Sequence, residues 1–191
     1  MNQATTKRKQ TGFTLVELLI VAIILAILAA IVVPQFASTT VDAQEAALRS
    51  NLSAIRGAVS LYRQQHGEFP GLLTAVPSGA CSGTSGAGLA EQRAALVEQL
   101  TRYTDANGET CSRSDAGAYP FGPYLDENDL PANPVTGDPA VLIVPAADPA
   151  AGDLDMTGTA AGLGWRYDVT SGKFIANDTG TDSQGVRYDT Y

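Results

Sequence analysis

The chain has 191 residues, a formal charge of −8 and a single histidine. That length holds one soluble domain of ordinary size beside a terminal segment. Twelve Lys and Arg against twenty Asp and Glu, with no basic cluster after residue 9, exclude a broad phosphate-binding surface, so no nucleic-acid partner is expected.

The first element is an apolar helix. Residues 12 to 34 read G-F-T-L-V-E-L-L-I-V-A-I-I-L-A-I-L-A-A-I-V-V-P, and 15 of the 21 positions from 13 to 33 are Leu, Ile, Val or Phe. At about 1.5 Å per residue the run spans roughly 31 Å, the thickness of a bilayer's hydrocarbon core. Those side chains favour insertion by roughly 5 to 9 kcal/mol, against about 3 kcal/mol at most for the one acid, Glu17. Lys7, Arg8 and Lys9 precede the run, and the next basic residue is Arg49. Positive flanks stay inside, so the N-terminus is expected in the cytoplasm and the remainder across the membrane. The run is about twice as long as a secretory h-region, and no clear A-x-A-type cleavage site follows it, so an ordinary signal peptide fits poorly. A plain membrane anchor with a tolerated acid remains open at this point.

The helical pattern continues past Pro34. Val41, Leu48, Leu52, Ile55, Val59 and Tyr62 form one apolar stripe, with Asp42, Gln44, Glu45, Arg49, Asn51, Arg56 and Arg63 opposite. Gly67 and Pro70 stop it. Residues 13 to about 66 therefore predict one kinked helix of roughly 80 Å. A small domain cannot cover a cylinder of that length, so its apolar first half needs lipid or further copies of itself.

Residues 77 to 88 are loop by composition, and L-A-E-Q-R-A-A-L-V-E-Q-L-T-R-Y at 89–103 predicts a shorter helix, followed by a D-A-N-G-E turn. Cys81 and Cys111 flank that helix. An exported position and an even count suggest one disulfide across it, worth roughly 3 to 4 kcal/mol as an upper guide. Two free thiols are the alternative. One histidine and no second cysteine pair leave no zinc spacing.

From residue 120 the chain is rich in Pro, Gly, Asn and Asp and reads mostly as loop. V-L-I-V at 141–144 is a strand candidate. G-W-R-Y-D-V-T-S-G-K-F-I-A-N predicts a hairpin with T-S-G as its turn, and the tail from 178 is weakly patterned. His66 is expected to serve the helix C-terminus rather than catalysis. No nucleophile elbow or phosphate loop occurs, so no enzyme is expected.

K-R-K-Q-T-G followed by F-T-L-V-E-L-L-I-V resembles the N-terminus of type IV prepilins and of the pseudopilins of type II secretion. G-P-Y-L…L-P-A-N-P-V-T-G and S-L-Y-R-Q-Q-H-G-E-F-P are similar to segments of the major, G-type pseudopilin, although this chain is longer between Cys81 and Cys111. The resemblance implies an α+β, pilin-like lollipop: a long kinked N-terminal helix packed on a small antiparallel β-sheet head. It divides the chain into a leader (1–12), a membrane and filament-core helix (13–34), an amphipathic continuation (35–70) and a head (71–191). It implies that a prepilin peptidase and N-methyltransferase cuts after Gly12 and methylates Phe13. Glu17 then offsets the terminal amine of a neighbouring subunit, though Phe13 and Glu17 also share one helical face, so same-chain pairing is equally open. Pro34 matches the proline that kinks the helix.

The same resemblance implies a bacterial inner-membrane protein with a periplasmic head. It would self-assemble into a filament with an inner-membrane assembly platform, as a secretion pseudopilus or, alternatively, as a surface pilus for adhesion or motility. Major pseudopilins carry Ca²⁺ on a head loop, and Asp153, Asp155, Asp168 and Asp178 are the candidate ligands here. Hard oxygen ligands on loops suit that ion, but D-L-D at 153–155 is not a twelve-residue calcium loop, and solvated acidic loops are the alternative.

Overall fold

The structure is a computed structural model. It describes residues 13–72, 89–112, 115, 117–126, 129–144, 156–159 and 162–191. The order is α1 (Leu15–His66), α2 (Leu89–Thr101), β1 (Tyr103–Thr104), β2 (Thr110–Cys111), β3 (Val141–Val144), β4 (Trp165–Asp168), β5 (Phe174–Ala176) and a closing 3₁₀ turn, Tyr188–Thr190. The chain divides into two compact units, Met1–Val41 and Asp42–Tyr191.

In the first unit, α1 runs unbroken through position 34. Among the described residues nothing covers its apolar side chains: Leu15–Val32 is wholly outside any core.

In the second unit the predicted stripe is the core. Leu48, Leu52, Ile55, Val59 and Tyr62 are buried together with Leu96 and Leu100 of α2 and with Trp165, Tyr167 and Phe174 of the sheet. Each large side chain so buried contributes about 1.5 to 3 kcal/mol. α1 stops where Gly67, at φ 81°, turns its N–H back to the Arg63 carbonyl at 2.8 Å. That left-handed C-terminal residue is the one glycine accepts without strain. His66 completes this end: Nδ1 lies 3.0 Å from the Tyr62 carbonyl, and Nε2 lies 3.0 Å from the Thr104 hydroxyl. With Nδ1–H donating to Tyr62, Nε2 is left to accept from Thr104. This is the helix-terminal role expected of the residue.

The fold class is α+β, as expected. β4 and β5 form the predicted hairpin, antiparallel with Trp165 opposite Ala176. One pairing differs from an all-antiparallel head. β3 runs parallel to β4, Val141 opposite Trp165. The twenty residues that separate β3 from β4 are long enough for the crossover that a parallel pair requires. α2 ends two residues before the sequence pattern does, because Tyr103 and Thr104 pair with Cys111 and Thr110 instead of continuing the helix.

The weakly patterned tail is folded by side chains rather than by strands. Asp182 accepts from the N–H groups of Gln184 and Val186, from the Tyr191 hydroxyl at 2.6 Å and from Arg49 at 3.1 Å. Asp189 accepts from Gly158 N–H at 2.6 Å and pairs with Arg187. Glu45 of α1 accepts from Ser183 N–H at 2.9 Å. Three buried acids are thereby satisfied, as burial requires.

Candidate functional site

The site is the start of α1 and the apolar surface that follows. Thr14 precedes the first helical residue, Leu15. Its N–H and its hydroxyl both donate to Glu17 Oε2 at 2.8 Å, and Glu17 N–H donates to the Thr14 hydroxyl at 3.2 Å. This reciprocal pair is a capping box, which satisfies helix-terminal donors that otherwise have no partner. It also sets a carboxylate in the first turn, where the helix dipole favours negative charge. T-L-V-E before an apolar run carries that signature in the sequence, and a reading centred on Glu17 alone passes over Thr14.

Glu17 is therefore bonded within its own chain, to the residue after Phe13 rather than to Phe13 itself. Phe13 is 82% exposed. Gly12, the residue expected to precede the cut, lies outside the described residues. Beyond the cap, Leu18, Ile20, Ile24, Leu28 and Ile31 are each more than half exposed. By length and composition, Leu15–Val32 is able to cross a membrane. An apolar surface so large is not left in water, and it marks a lipid or protein contact. Position 34 is helical, while the Pro34 side chain is outside the description.

The predicted disulfide and calcium positions belong to the second unit. Cys111 is buried and disulfide-bonded, and Cys81, the chain's other cysteine, lies outside the described residues. Asp153 and Asp155 also lie outside them. Asp168 accepts from Thr170 N–H at 2.8 Å and from the Ser171 hydroxyl at 2.6 Å, which shapes the β4–β5 turn. Asp178 accepts from Gly180 N–H at 2.7 Å. The hairpin register puts these two acids at opposite ends, roughly 17 Å apart along the strands, too far to share one ion. Among the described residues no three His, Cys, Asp or Glu side chains gather in a metal-binding group.

The tail cluster has its own electrostatics. The Tyr191 hydroxyl above all, then the amides of Val186 and Gln184 and the Arg49 guanidinium, hold Asp182 below the usual carboxylate range. Burial, with the hydrogen bond to Asp182, pushes the Tyr191 phenol up to about 12. The sequence gives no periodic signal for this cluster, because Arg49 reaches Asp182 across 133 positions and the rest of it is an irregular turn.

Known proteins match the N-terminal part. The family model for the prokaryotic N-terminal methylation motif matches residues 7–33. The type II secretion system core protein G of Pseudomonas aeruginosa is 39% identical over 64 residues, 34% of this chain and 45% of that protein. The core protein G of Vibrio cholerae is 36% identical over 63 residues, 33% of this chain and 43% of that protein. A fimbrial protein of Neisseria meningitidis is 42% identical over 62 residues, 32% of this chain and 36% of that protein. The chain thus spans less than half the length of the curated relatives it matches. No solved structure matches it significantly. Residues 7–33 thus match the prokaryotic N-terminal methylation motif, and about a third of the chain is similar to core protein G of type II secretion from several organisms.

Proposed function

We propose that the chain is a structural subunit of a type II secretion pseudopilus. The observation that carries this is the capped apolar helix from Leu15 to Val32, which the other described residues leave uncovered and which lipid or other copies would bury. In the membrane it anchors the subunit once, with its basic N-terminus in the cytoplasm and its head outside. A prepilin peptidase then cuts between Gly12 and Phe13 and methylates the new Phe13 amine. On the inner-membrane assembly platform the apolar helices exchange lipid for one another, and the acidic heads form the filament surface. The cut creates a positive amine beside Glu17, and a carboxylate already ordered by Thr14 is placed to meet it. An amine or a carboxylate left alone in low dielectric is costly, which favours pairing within or between subunits. No catalytic role is part of this reading.

A strain lacking the chain tests the proposal. It loses exoproteins from the culture supernatant and keeps its long surface fibres. Normal secretion with missing fibres would overturn it in favour of a pilus subunit, the reading that the Neisseria fimbrial match keeps as second.

Calcium belongs to this proposal only through the resemblance. Asp168 does not fit a ligand's part, since both its oxygens hold the β4–β5 turn. Asp178 fits better, with one oxygen held by Gly180 N–H and no hydrogen bond to the other among the described residues. A melting temperature indifferent to calcium and to chelator removes the idea.

A further inference from the structure

Nine Lys and Arg follow residue 12, against twenty Asp and Glu. Five of the nine line one side of the second unit. Arg49, Arg56 and Arg63 recur every seventh residue of α1, so they form a single stripe about 21 Å long. Lys173 and Arg187 stand across from them, and three contiguous cavities lie between, of about 450, 300 and 670 Å³. Arg56 lines all three. Val59, Phe69, Phe174 and Ile175 give the groove an apolar floor.

The charge in this groove is only partly answered from within. Arg49 holds Asp182, and Arg187 holds Asp189. Arg56 donates to the backbone carbonyl of Phe174 at 2.9 Å and to a main-chain oxygen of Tyr191, the last residue of the sequence, at 2.6 Å. Arg63 lies over the Phe69 ring, 4.2 Å from its centroid. Among the described residues, Arg63 meets no carboxylate.

The opposite flank of the same helix is acidic. Tyr62 and Gln65 lie roughly 100° and 160° around the axis from Arg63. They face Tyr124, whose hydroxyl donates to Gln65 at 2.6 Å, and the β1–β2 hairpin, reached through His66 and Thr104. Asp105, Glu109 and Asp115 stand on this side. After burial, the charge of these three is what pushes the Tyr119 phenol up, so they act as one local field.

A monomer that is basic on one flank and acidic on the other is built for head-to-tail contact, which propagates because each copy leaves both faces for the next. We propose that the Arg49–Arg56–Arg63 groove receives the acidic β1–β2 side of a second copy of this chain. The inference rests on the filament reading. Neighbouring copies supply the acidic face at equal number and at the high effective concentration of a shared filament. The complementary charges then fix which flank meets which and suppress like-to-like contact.

Charge reversal in the full-length chain tests this, read as filament yield in sheared fractions. Arg63→Glu with Lys173→Glu, or Glu109→Lys with Asp115→Lys, each lowers yield about tenfold while leaving membrane levels of the subunit unchanged. All four substitutions together restore yield, which a merely misfolded variant does not do. Unchanged yield from either pair, or no restoration by the combination, overturns the interface. Intact filaments with lost secretion overturn it also, and give the groove to a different acidic partner. Absence of any filament from the wild-type chain sinks the filament reading itself, and the interface with it.

Discussion

Thr14 and Glu17 hold each other across the first turn of α1, with Thr14 N–H and hydroxyl both on Glu17 Oε2 and Glu17 N–H on the Thr14 hydroxyl. An acid at the mouth of an apolar helix thereby has a partner before any neighbouring subunit arrives. Capping needs an oxygen acceptor, and the attraction of an amine proposed above needs charge as well.

Glu17→Gln separates the two jobs, since the amide keeps an acceptor for Thr14 and gives up the charge. This variant is expected to insert and to be cut like the wild type, yet to assemble as poorly as Glu17→Ala. Filament yield beside the ratio of cut to uncut chain makes the comparison. Wild-type assembly by the Gln variant would show that the cap alone matters.

Thr14→Ala removes the hydroxyl from the same box. Loss of such a cap costs about 0.5 to 2 kcal/mol. In lipid, where no water replaces the partner, the expected sign is a frayed first turn. Faster amide exchange confined to residues 14 to 17, with the rest of α1 unchanged, is the measurement.

Gly172 sits at φ 72° in the β4–β5 turn, and a Cβ there would overlap the Phe69 ring. Gly172→Ala is expected to destabilise the second unit by about 1 to 3 kcal/mol through backbone strain and the displaced ring. The midpoint of chemical unfolding of the detergent-solubilised chain reads this. An unchanged midpoint would show that Phe69 gives way at no cost.

Cys111 is buried and disulfide-bonded, which leaves Cys81 as its expected partner. Peptide mapping without reductant is expected to yield one linked Cys81–Cys111 pair. Cys111→Ser should lower the unfolding free energy by up to about 3 to 4 kcal/mol, the value for a loop of this size.

The tail cluster carries a pH dependence of known sign. Asp182 titrates lower folded than unfolded, so its contribution is present above the ordinary carboxylate range near 3.8 and is lost as pH falls through the folded value. Tyr191 is raised to about 12 from 10.0, so its contribution is full below pH 10 and is lost as pH rises towards 12. The tail is therefore expected to loosen at both extremes. Asp182→Asn should shrink the acid limb to the part that Asp189, also held low by Arg187 and the Gly158 amide, contributes, as followed by proteolysis near residues 182 to 191.

Much of this architecture is legible in the sequence. The stripe at Leu48, Leu52, Ile55, Val59 and Tyr62 has helical spacing, and those side chains are the buried face of α1. Gly67 marks the helix end, and T-S-G marks the turn of the β4–β5 hairpin. Even the Thr14–Glu17 box is written in T-L-V-E. These features depend on residues at most a few positions apart, where period, propensity and capping act.

What tertiary structure alone decided is of another kind. Asp168 and Asp178 look equivalent as loop acids, yet the hairpin register sends them to opposite ends. The parallel pairing of β3 with β4 depends on a crossover that no local pattern encodes. Arg49 meets Asp182 and Tyr191 across more than 130 positions, and Arg56 binds the Phe174 carbonyl across 118. The apolar helix, its cap and its buried stripe were thus determined by the sequence, because local periodicity places a side chain on a face. Its partners on that face were decided by the fold, because the chain must first close long loops before distant residues meet.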